Sequence, residues 1–273
     1  MVTRIVSSII FLPILVLLVV LGGLPLKLGI LAVSLMGMHE LYGAFSLRDK
    51  PIAFIGYGFA AVYVICMEML HSQASWLTGF ISLFLVILLV CGVFEHARTN
   101  PVQCIIAFFG FFYVCFLISH IYLIREYPYG KFFIWLAFMS AWGCDTGAYF
   151  TGVTIGKHKL IPSLSPKKTV EGSIGGVVTA FVISFVYGYI IQRYFSFEGT
   201  HVLLLCSLTG IFGSLLSQVG DLAASAIKRY TGIKDYGNLI PGHGGIIDRF
   251  DSVLFTAPLV YYVMIFLISG QVS

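Results

Sequence analysis

The sequence has 273 residues, a length that ordinarily suggests one large or two modest globular domains. Hydrophobic residues make up 59% of it and charged residues only 10%, whereas a soluble chain carries about a quarter charged residues. Its 16 Lys and Arg and 12 Asp and Glu cannot cover a water-facing surface of this size. The composition therefore excludes a soluble fold and indicates a membrane protein that crosses the bilayer several times.

The apolar stretches of the chain are long enough for helices that span a membrane. About 20 apolar residues cross the hydrocarbon core as a helix, and polar residues and helix breakers leave room here for about nine such stretches. They cover residues 5–26, 28–47, 52–70, 76–94, 102–124, 132–148, 173–191, 201–224 and 250–269. The alternating segments of a lipid-facing barrel are absent from the sequence. We predict an all-α polytopic integral membrane protein with about nine transmembrane helices.

The basic residues indicate how these helices are oriented. Nine spans put the two termini on opposite sides, and 12 of the 16 Lys and Arg then fall on the side of the N-terminus. These twelve are Arg4, Arg48, Lys50, Arg98, Lys157, Lys159, Lys167, Lys168, Lys228, Arg229, Lys234 and Arg249. The positive-inside rule places that side in the cytoplasm. We expect a bacterial inner (cytoplasmic) membrane, with the N-terminus and the active site facing the cytoplasm.

Charged residues are concentrated in the second half of the chain. Half of them lie in two windows, residues 145–171 and 221–251. Neither an internal repeat nor a linker rich in Pro, Gly or Ser separates parts of the sequence. We predict one membrane domain over residues 1–273, in which residues 1–131 are mainly scaffold helices and residues 132–273 carry the active site.

The second window combines acids, bases and a glycine-rich turn. If the eighth helix continues past Asp221, then Asp221, Ser225 and Lys228 share one helix face. Residues 238–245 contain three glycines and a proline, which excludes a helix and lets backbone N–H groups approach an anion. This segment reads as a loop shaped for the oxygens of a phosphate.

The aspartates of this window suit a hard divalent cation. Asp248 and Asp251 are three residues apart at the start of the ninth helix, so they face the same way and can share a cation with Asp221. Oxygen ligands favour Mg²⁺, which in phosphoryl-transfer sites is commonly held by a few carboxylates together with the substrate phosphates. The competing interpretation is a set of interfacial charges, in which lysines extend to lipid headgroups and aspartates cap helices.

The same window forms a longer pattern of fixed spacing. The pattern runs through Ser225, Lys228, Arg229, Lys234, Asp235, Gly237, Ile240, Pro241, His243, Gly244, Gly245, Asp248, Arg249, Phe250 and Asp251. It resembles the signature of the phosphatidate cytidylyltransferases, also called CDP-diacylglycerol synthases. Residues 145–149 and 165–172 resemble the other landmarks of that family, so that the motifs cover about a quarter of the chain.

The resemblance implies an enzyme that transfers the cytidylyl group of CTP to phosphatidate, giving CDP-diacylglycerol and pyrophosphate for phospholipid synthesis. The attacking phosphate oxygen is already ionised at neutral pH, so such a site works by position and electrostatics rather than through a general base. The implied catalytic residues are Asp221, Lys228, Lys234 and Asp248, and the implied Mg²⁺ ligands are Asp221, Asp248 and Asp251. The implied substrate-binding residues are Asp145, Ser165, Lys167, Lys168, Ser225, Arg229, Asp235, His243 and Arg249.

Several roles stay open at this point. Asp235 either orients Lys234 or touches the nucleotide, and His243 either donates to a phosphate or holds its loop. The pair Lys167 and Lys168 binds phosphatidate, binds CTP or attracts anionic lipid without specificity. In the first half of the chain, His39, Glu40 and Glu68 are costly polar residues that are either functional or interfacial.

The expected partners are CTP, phosphatidate and membrane lipids, with no nucleic acid, and the sequence leaves open whether the chain forms a homo-oligomer. The alternative functions are another CTP-using membrane lipid transferase or kinase and, less favoured, a transporter. A transporter typically has paired broken helices in two halves, whereas the motifs here lie in one half of the chain.

Overall fold

The computed structural model describes residues 2–96, 99–198, 200–237 and 244–269. Within these ranges the chain forms eleven α-helices, one π-helical segment and one β-hairpin. The helices before the hairpin are α1 (Val2–Leu21), α2 (Gly23–Ala44), α3 (Pro51–Ile65), α4 (Met67–Ser72), α5 (Ala74–Phe94), α6 (Pro101–Gly110), the π-helical segment Phe111–Phe116, α7 (Leu117–Glu126) and α8 (Gly130–Ile155). The hairpin is β1 (Lys159–Ile161) and β2 (Ser165–Thr169), and it is followed by α9 (Val170–Tyr194), α10 (Val202–Thr231) and α11 (Ile247–Ser269).

The helices confirm an all-α integral membrane protein. Six helical segments in the described ranges are long and apolar enough to cross a membrane. They are Gly23–Ala44, Ala74–Phe94, Pro101–Glu126, Val170–Tyr194, Val202–Thr231 and Ile247–Ile268. Each of the nine apolar stretches coincides with at least one helix. How many of the nine cross the bilayer stays a prediction.

The described residues divide into two compact units. Unit 1 comprises residues 1–119 and 231–249, and unit 2 comprises residues 120–230 and 250–273. Helices α7, α10 and α11 contribute residues to both units. The two windows of charge are therefore distributed between the units, with Asp248 in unit 1 and Asp221 and Asp251 in unit 2.

The core of unit 1 is built around two buried tyrosines. The Tyr42 hydroxyl of α2 donates to the backbone carbonyl of Ala107 in α6, at 2.7 Å. Gly56 and Gly110 lie against the Tyr42 ring, where a Cβ at either position would clash. Tyr63 of α3 packs edge-on against Phe111 at the start of the π-helical segment. These contacts hold α2, α3 and α6 together.

The third predicted span is not one continuous helix. The stretch predicted over residues 52–70 breaks at Cys66, where α3 ends and α4 begins. The polar side chains beyond the break find partners. Glu68 pairs with Lys27 at 2.5 Å, and His71 Nε2 lies 2.9 Å from the hydroxyl of Tyr63. The break between α3 and α4 therefore accompanies the pairing of two polar groups that an apolar span would leave unsatisfied.

Close packing of α8 against α9 organises unit 2. A Cβ on Gly172 would lie 2.8 Å from the carbonyl oxygen of Ala148, and a Cβ on Gly176 would lie 2.8 Å from that of Cys144. Only glycine at these positions of α9 lets the two backbones approach so closely. Gly172 and Gly176 therefore serve the packing of α9 against α8.

Between these two helices lies a hairpin that the sequence did not predict. β1 and β2 pair antiparallel, with Lys159 opposite Thr169. Glu171, in the first turn of α9, accepts hydrogen bonds from the backbone amides of Lys157 and His158 and lies 2.6 Å from His158 Nδ1. The Glu171 carboxylate thus attaches the backbone just before β1 to the first turn of α9.

Candidate active site

In unit 2, the hairpin and three helices line a cavity of about 380 Å³ whose wall includes four of the predicted site residues. Asp145 comes from α8, Lys167 and Lys168 from β2, and Asp221 from α10. The remaining wall is both polar and apolar, and includes Tyr149, Val153, Leu160, Thr169, Ser173 and Gln218. The structure therefore brings Asp145, Lys167 and Lys168 of the first charged window together with Asp221 of the second. A cavity of this character can take a charged group attached to an apolar one.

Within this cavity Lys168 and Asp221 form an ion pair. Both side chains are partly buried, with 26% and 29% of their surface exposed, so water screens the pair less than it would on an open surface. One turn before Asp221, the Gln218 amide group exchanges hydrogen bonds with Ser173 of α9 and donates to Cys144 of α8. These bonds fix the turn of α10 that carries Asp221.

A second carboxylate lies close to Asp221. Asp251 of α11 is partly buried and lies within electrostatic range of Asp221, Asp145 and Lys228. Gly220 makes this approach possible, because a Cβ there would lie 2.5 Å from the backbone oxygen of Asp251. The close packing of α10 on α11 thus concentrates negative charge that a cation can offset.

The Asp221 and Asp251 carboxylates fit an Mg²⁺ ion that takes only part of its ligands from the protein. The described residues contain no group of three or more His, Cys, Asp or Glu placed to hold a metal by themselves. Mg²⁺ commonly takes only one or two carboxylates and completes its shell with water and substrate phosphates. Asp221 and Asp251, two hard oxygen donors in one unit, match that requirement.

Asp248 has a different environment, in unit 1. Its Oδ2 accepts hydrogen bonds from the backbone amides of Tyr236, at 2.9 Å, and Gly245, at 3.0 Å. Gly244 has a φ of +83°, and a Cβ there would lie 2.8 Å from the same oxygen, so this turn requires glycine. Asp248 therefore ties together the two ends of the segment that includes residues 238–243.

Unit 1 holds a larger cavity, of about 1040 Å³, next to this segment. Its wall includes Asp235, Tyr236 and Gly237, and residues from α2, α3 and the turn between them. Those residues include His39, Glu40, Arg48, Asp49, Lys50 and Tyr57. Both acidic and basic groups thus line this cavity.

The other predicted residues lie as follows. The eighth helix continues past Asp221 as predicted, since α10 runs to Thr231, and it carries Ser225 and Lys228, both partly buried, and an exposed Arg229. Lys234 and Arg249 are exposed in unit 1. Ser165 begins β2 opposite Ile161. His243 lies outside the described residues.

Comparison with known proteins assigns the chain to a family. A model of the cytidylyltransferase family matches residues 2–267. The chain belongs to the cytidylyltransferase family. A relative from Bacillus subtilis (strain 168) is named phosphatidate cytidylyltransferase and is 35% identical, over 96% of this chain and 95% of its own. Relatives of the same name from Staphylococcus haemolyticus (strain JCSC1435) and Staphylococcus aureus (strain COL) are each 34% identical, over 96% of this chain and 97% of theirs. The resemblance inferred from the motifs is confirmed.

The structure also shows contacts of three residues, Gln218, Glu171 and Glu40, to which the sequence interpretation gave no role in the site. Gln218 was treated as part of an apolar span, although a polar amide three residues before Asp221 is itself a signal of a polar site. Glu171 was counted only as a charge in the first window. Glu40 was left between a functional and an interfacial role, and the structure places it in a buried environment, 9% exposed.

Proposed function

We propose that this protein transfers the cytidylyl group of CTP to phosphatidate, giving CDP-diacylglycerol and pyrophosphate. The observation that carries the proposal is the near full-length similarity to relatives named phosphatidate cytidylyltransferase. The unit 2 cavity supports it, because a site with charged and apolar walls suits a lipid phosphate.

The reaction brings two anions together, so the task of the protein is to position and neutralise them. The phosphate oxygen of phosphatidate attacks the α-phosphorus of CTP, and the bond from that phosphorus to the bridging oxygen breaks to release pyrophosphate. Lys228 and Lys234, with Arg229 and Arg249, offset charge on the phosphates. Lys167 and Lys168, in the wall of the unit 2 cavity, hold the phosphate of phosphatidate or the CTP tail, and the apolar part of that wall receives the lipid.

Asp221 and Asp251, with Asp248 as a further candidate, are the proposed ligands of Mg²⁺. When bound, the ion supplies positive charge to the phosphate oxygens and so lowers the barrier to displacement of pyrophosphate. The Lys168–Asp221 ion pair holds the lysine beside the same phosphates. Neither a covalent nucleophile nor a general base is needed, because the attacking oxygen is already ionised.

The assay that tests the function follows the label. Purified protein is incubated with phosphatidate, Mg²⁺ and CTP labelled at either the α- or the γ-phosphate, and the label in the organic phase is counted. The proposal expects transfer to lipid from the α-position and release of labelled pyrophosphate from the γ-position. Transfer of the γ-label to lipid would identify a kinase instead.

The proposed topology has nine membrane spans in the bacterial inner membrane, with the N-terminus and both charged windows in the cytoplasm. It is supported by the excess of Lys and Arg on that side. The two exposed lysines next to the hairpin, Lys157 and Lys159, belong to this face.

Cysteine labelling tests this orientation. In a variant without the six native cysteines, a cysteine introduced at Lys157 should resist an impermeant thiol reagent in intact cells and react after permeabilisation. A cysteine at the exposed Glu198, between α9 and α10, should react in intact cells and serves as the control. The reverse pattern would contradict both the orientation and a cytoplasmic active site.

A further inference from the structure

Glu40 makes two hydrogen bonds to a part of the chain more than 200 residues away. Its Oε1 accepts from the backbone amide of Ile246, at 2.9 Å, and its Oε2 accepts from that of Ile247, at 3.1 Å. Ile247 is the first residue of α11, and Ile246 immediately precedes it. All three residues lie in unit 1.

These amides have a strict need for an acceptor. The first N–H groups of a helix have no partner within the helix, and Ile246 and Ile247 are 4% and 1% exposed. A buried N–H group without an acceptor costs about 1 to 3 kcal/mol. A carboxylate is the strongest available acceptor there, because its charge also interacts favourably with the helix N-terminus.

Two glycines leave the space that the Glu40 carboxylate occupies. A Cβ on Gly237 would lie 2.6 Å from Oε1, and a Cβ on Gly245 would overlap the other oxygen. The two glycines stand on either side of residues 238–243, and Asp248 ties Tyr236 to Gly245 across the same segment. Four hydrogen bonds from backbone amides to the carboxylates of Glu40 and Asp248 thus hold Tyr236 and residues 245–247 in place.

We propose that Glu40 is the positioning residue for the start of α11, and that it fixes Asp248 and the backbone of residues 244–247 for catalysis. It acts through the backbone of Ile246 and Ile247 rather than by touching substrate. Its catalytic consequence rests on the proposed cytidylyl transfer, whereas its structural consequence does not. Among the described acids of the first half of the chain, Glu40 alone is buried. Glu68, for comparison, is 54% exposed and pairs with Lys27.

The side-chain chemistry predicts which substitutions fail. In Glu40→Gln the amide oxygen can still accept one N–H group, but the amide nitrogen cannot accept the other. In Glu40→Asp the charge remains, but the shorter side chain does not reach both amides. Gly245→Ala keeps the Glu40 side chain unchanged, but the added methyl group pushes its carboxylate away from the two amides. It should therefore weaken the same hydrogen bonds without a change at Glu40 itself.

Hydrogen exchange of the full-length protein in detergent measures the contact directly. In Glu40→Gln, the backbone amides of residues 244–250 should exchange about tenfold faster than in the wild type, because a lost hydrogen bond opens the segment. Gly245→Ala should show the same change, and the control Glu68→Gln should leave this segment unchanged. If Glu40→Gln does not fold, Glu40→Asp is measured in its place.

Steady-state kinetics then separates positioning from mere stability. We expect Glu40→Gln to lower kcat about tenfold in protein that remains folded, with Glu40→Asp between it and the wild type. Unchanged exchange at residues 244–250 would overturn the proposal, and so would faster exchange with an unchanged kcat. If the wild type fails to transfer the α-label of CTP, the proposed function is wrong, and the exchange measurement still decides whether Glu40 holds the segment.

Discussion

Replacing Asp221 with Asn should lower turnover by about a hundredfold while the protein still folds. The amide keeps the shape of the side chain but removes the negative charge that pairs with Lys168 and that the proposed Mg²⁺ site needs. A loss of this size corresponds to about 3 kcal/mol of transition-state stabilisation. The measurement is kcat at several Mg²⁺ concentrations, with Glu198→Gln, the same chemical change at an exposed site, as the control.

Lys168→Gln separates the two roles of Asp221. If Asp221 serves only to hold Lys168, then removing either partner should cause the same loss of turnover and leave the Mg²⁺ requirement unchanged. If Asp221 binds the ion, Asp221→Asn should also raise the Mg²⁺ concentration needed for half-maximal activity, and Lys168→Gln should not. Activity of Asp221→Asn within a few-fold of the wild type at subsaturating Mg²⁺ would contradict its role as a ligand.

The helices of this protein could be predicted from its sequence because apolar length determines them. Stretches of roughly 20 apolar residues are helical wherever the bilayer must be crossed. Their ends were less accurate. α8 was expected to end near residue 148 but continues to Ile155, and α10 continues from the predicted end at residue 224 to Thr231. Both extensions carry polar residues, which an apolar pattern does not include.

The contacts that form the site depended on tertiary pairing and were harder to predict. The charged residues of the unit 2 cavity were identified because the motifs that contain them resemble those of the phosphatidate cytidylyltransferases. The β-hairpin was missed, because its strands have only three and five residues and show no alternating apolar pattern. Glu40 could be recognised as a costly acid in an apolar helix, but its partners lie at the other end of the chain. No local pattern reports such a pairing.

Substituting the lysines one at a time should separate those that bind phosphate from those that face the membrane surface. Lys228 is partly buried on α10 and lies in the electrostatic range of Asp251, whereas Lys157 and Lys159 are exposed beside the hairpin. If charge near anionic lipid were the only requirement, each Lys→Gln change would cost a similar amount, about 1 kcal/mol. If Lys228 and Lys234 bind phosphate instead, their substitution should cost much more than that of Lys157 or Lys159, although each change removes one positive charge.

We expect Lys228→Gln and Lys234→Gln each to lower turnover about a hundredfold, and Lys157→Gln and Lys159→Gln to change it only a few-fold. The larger loss follows because an ammonium group that stabilises the phosphates during attack contributes about 3 kcal/mol or more to the transition state. Arg at either of the first two positions should restore activity only in part, since a planar guanidinium does not replace a compact ammonium in a fixed site. Turnover of all four variants is measured at saturating CTP and phosphatidate. Equal small losses at the four positions would make Lys228 and Lys234 surface charges and remove both from the residues proposed to bind the phosphates.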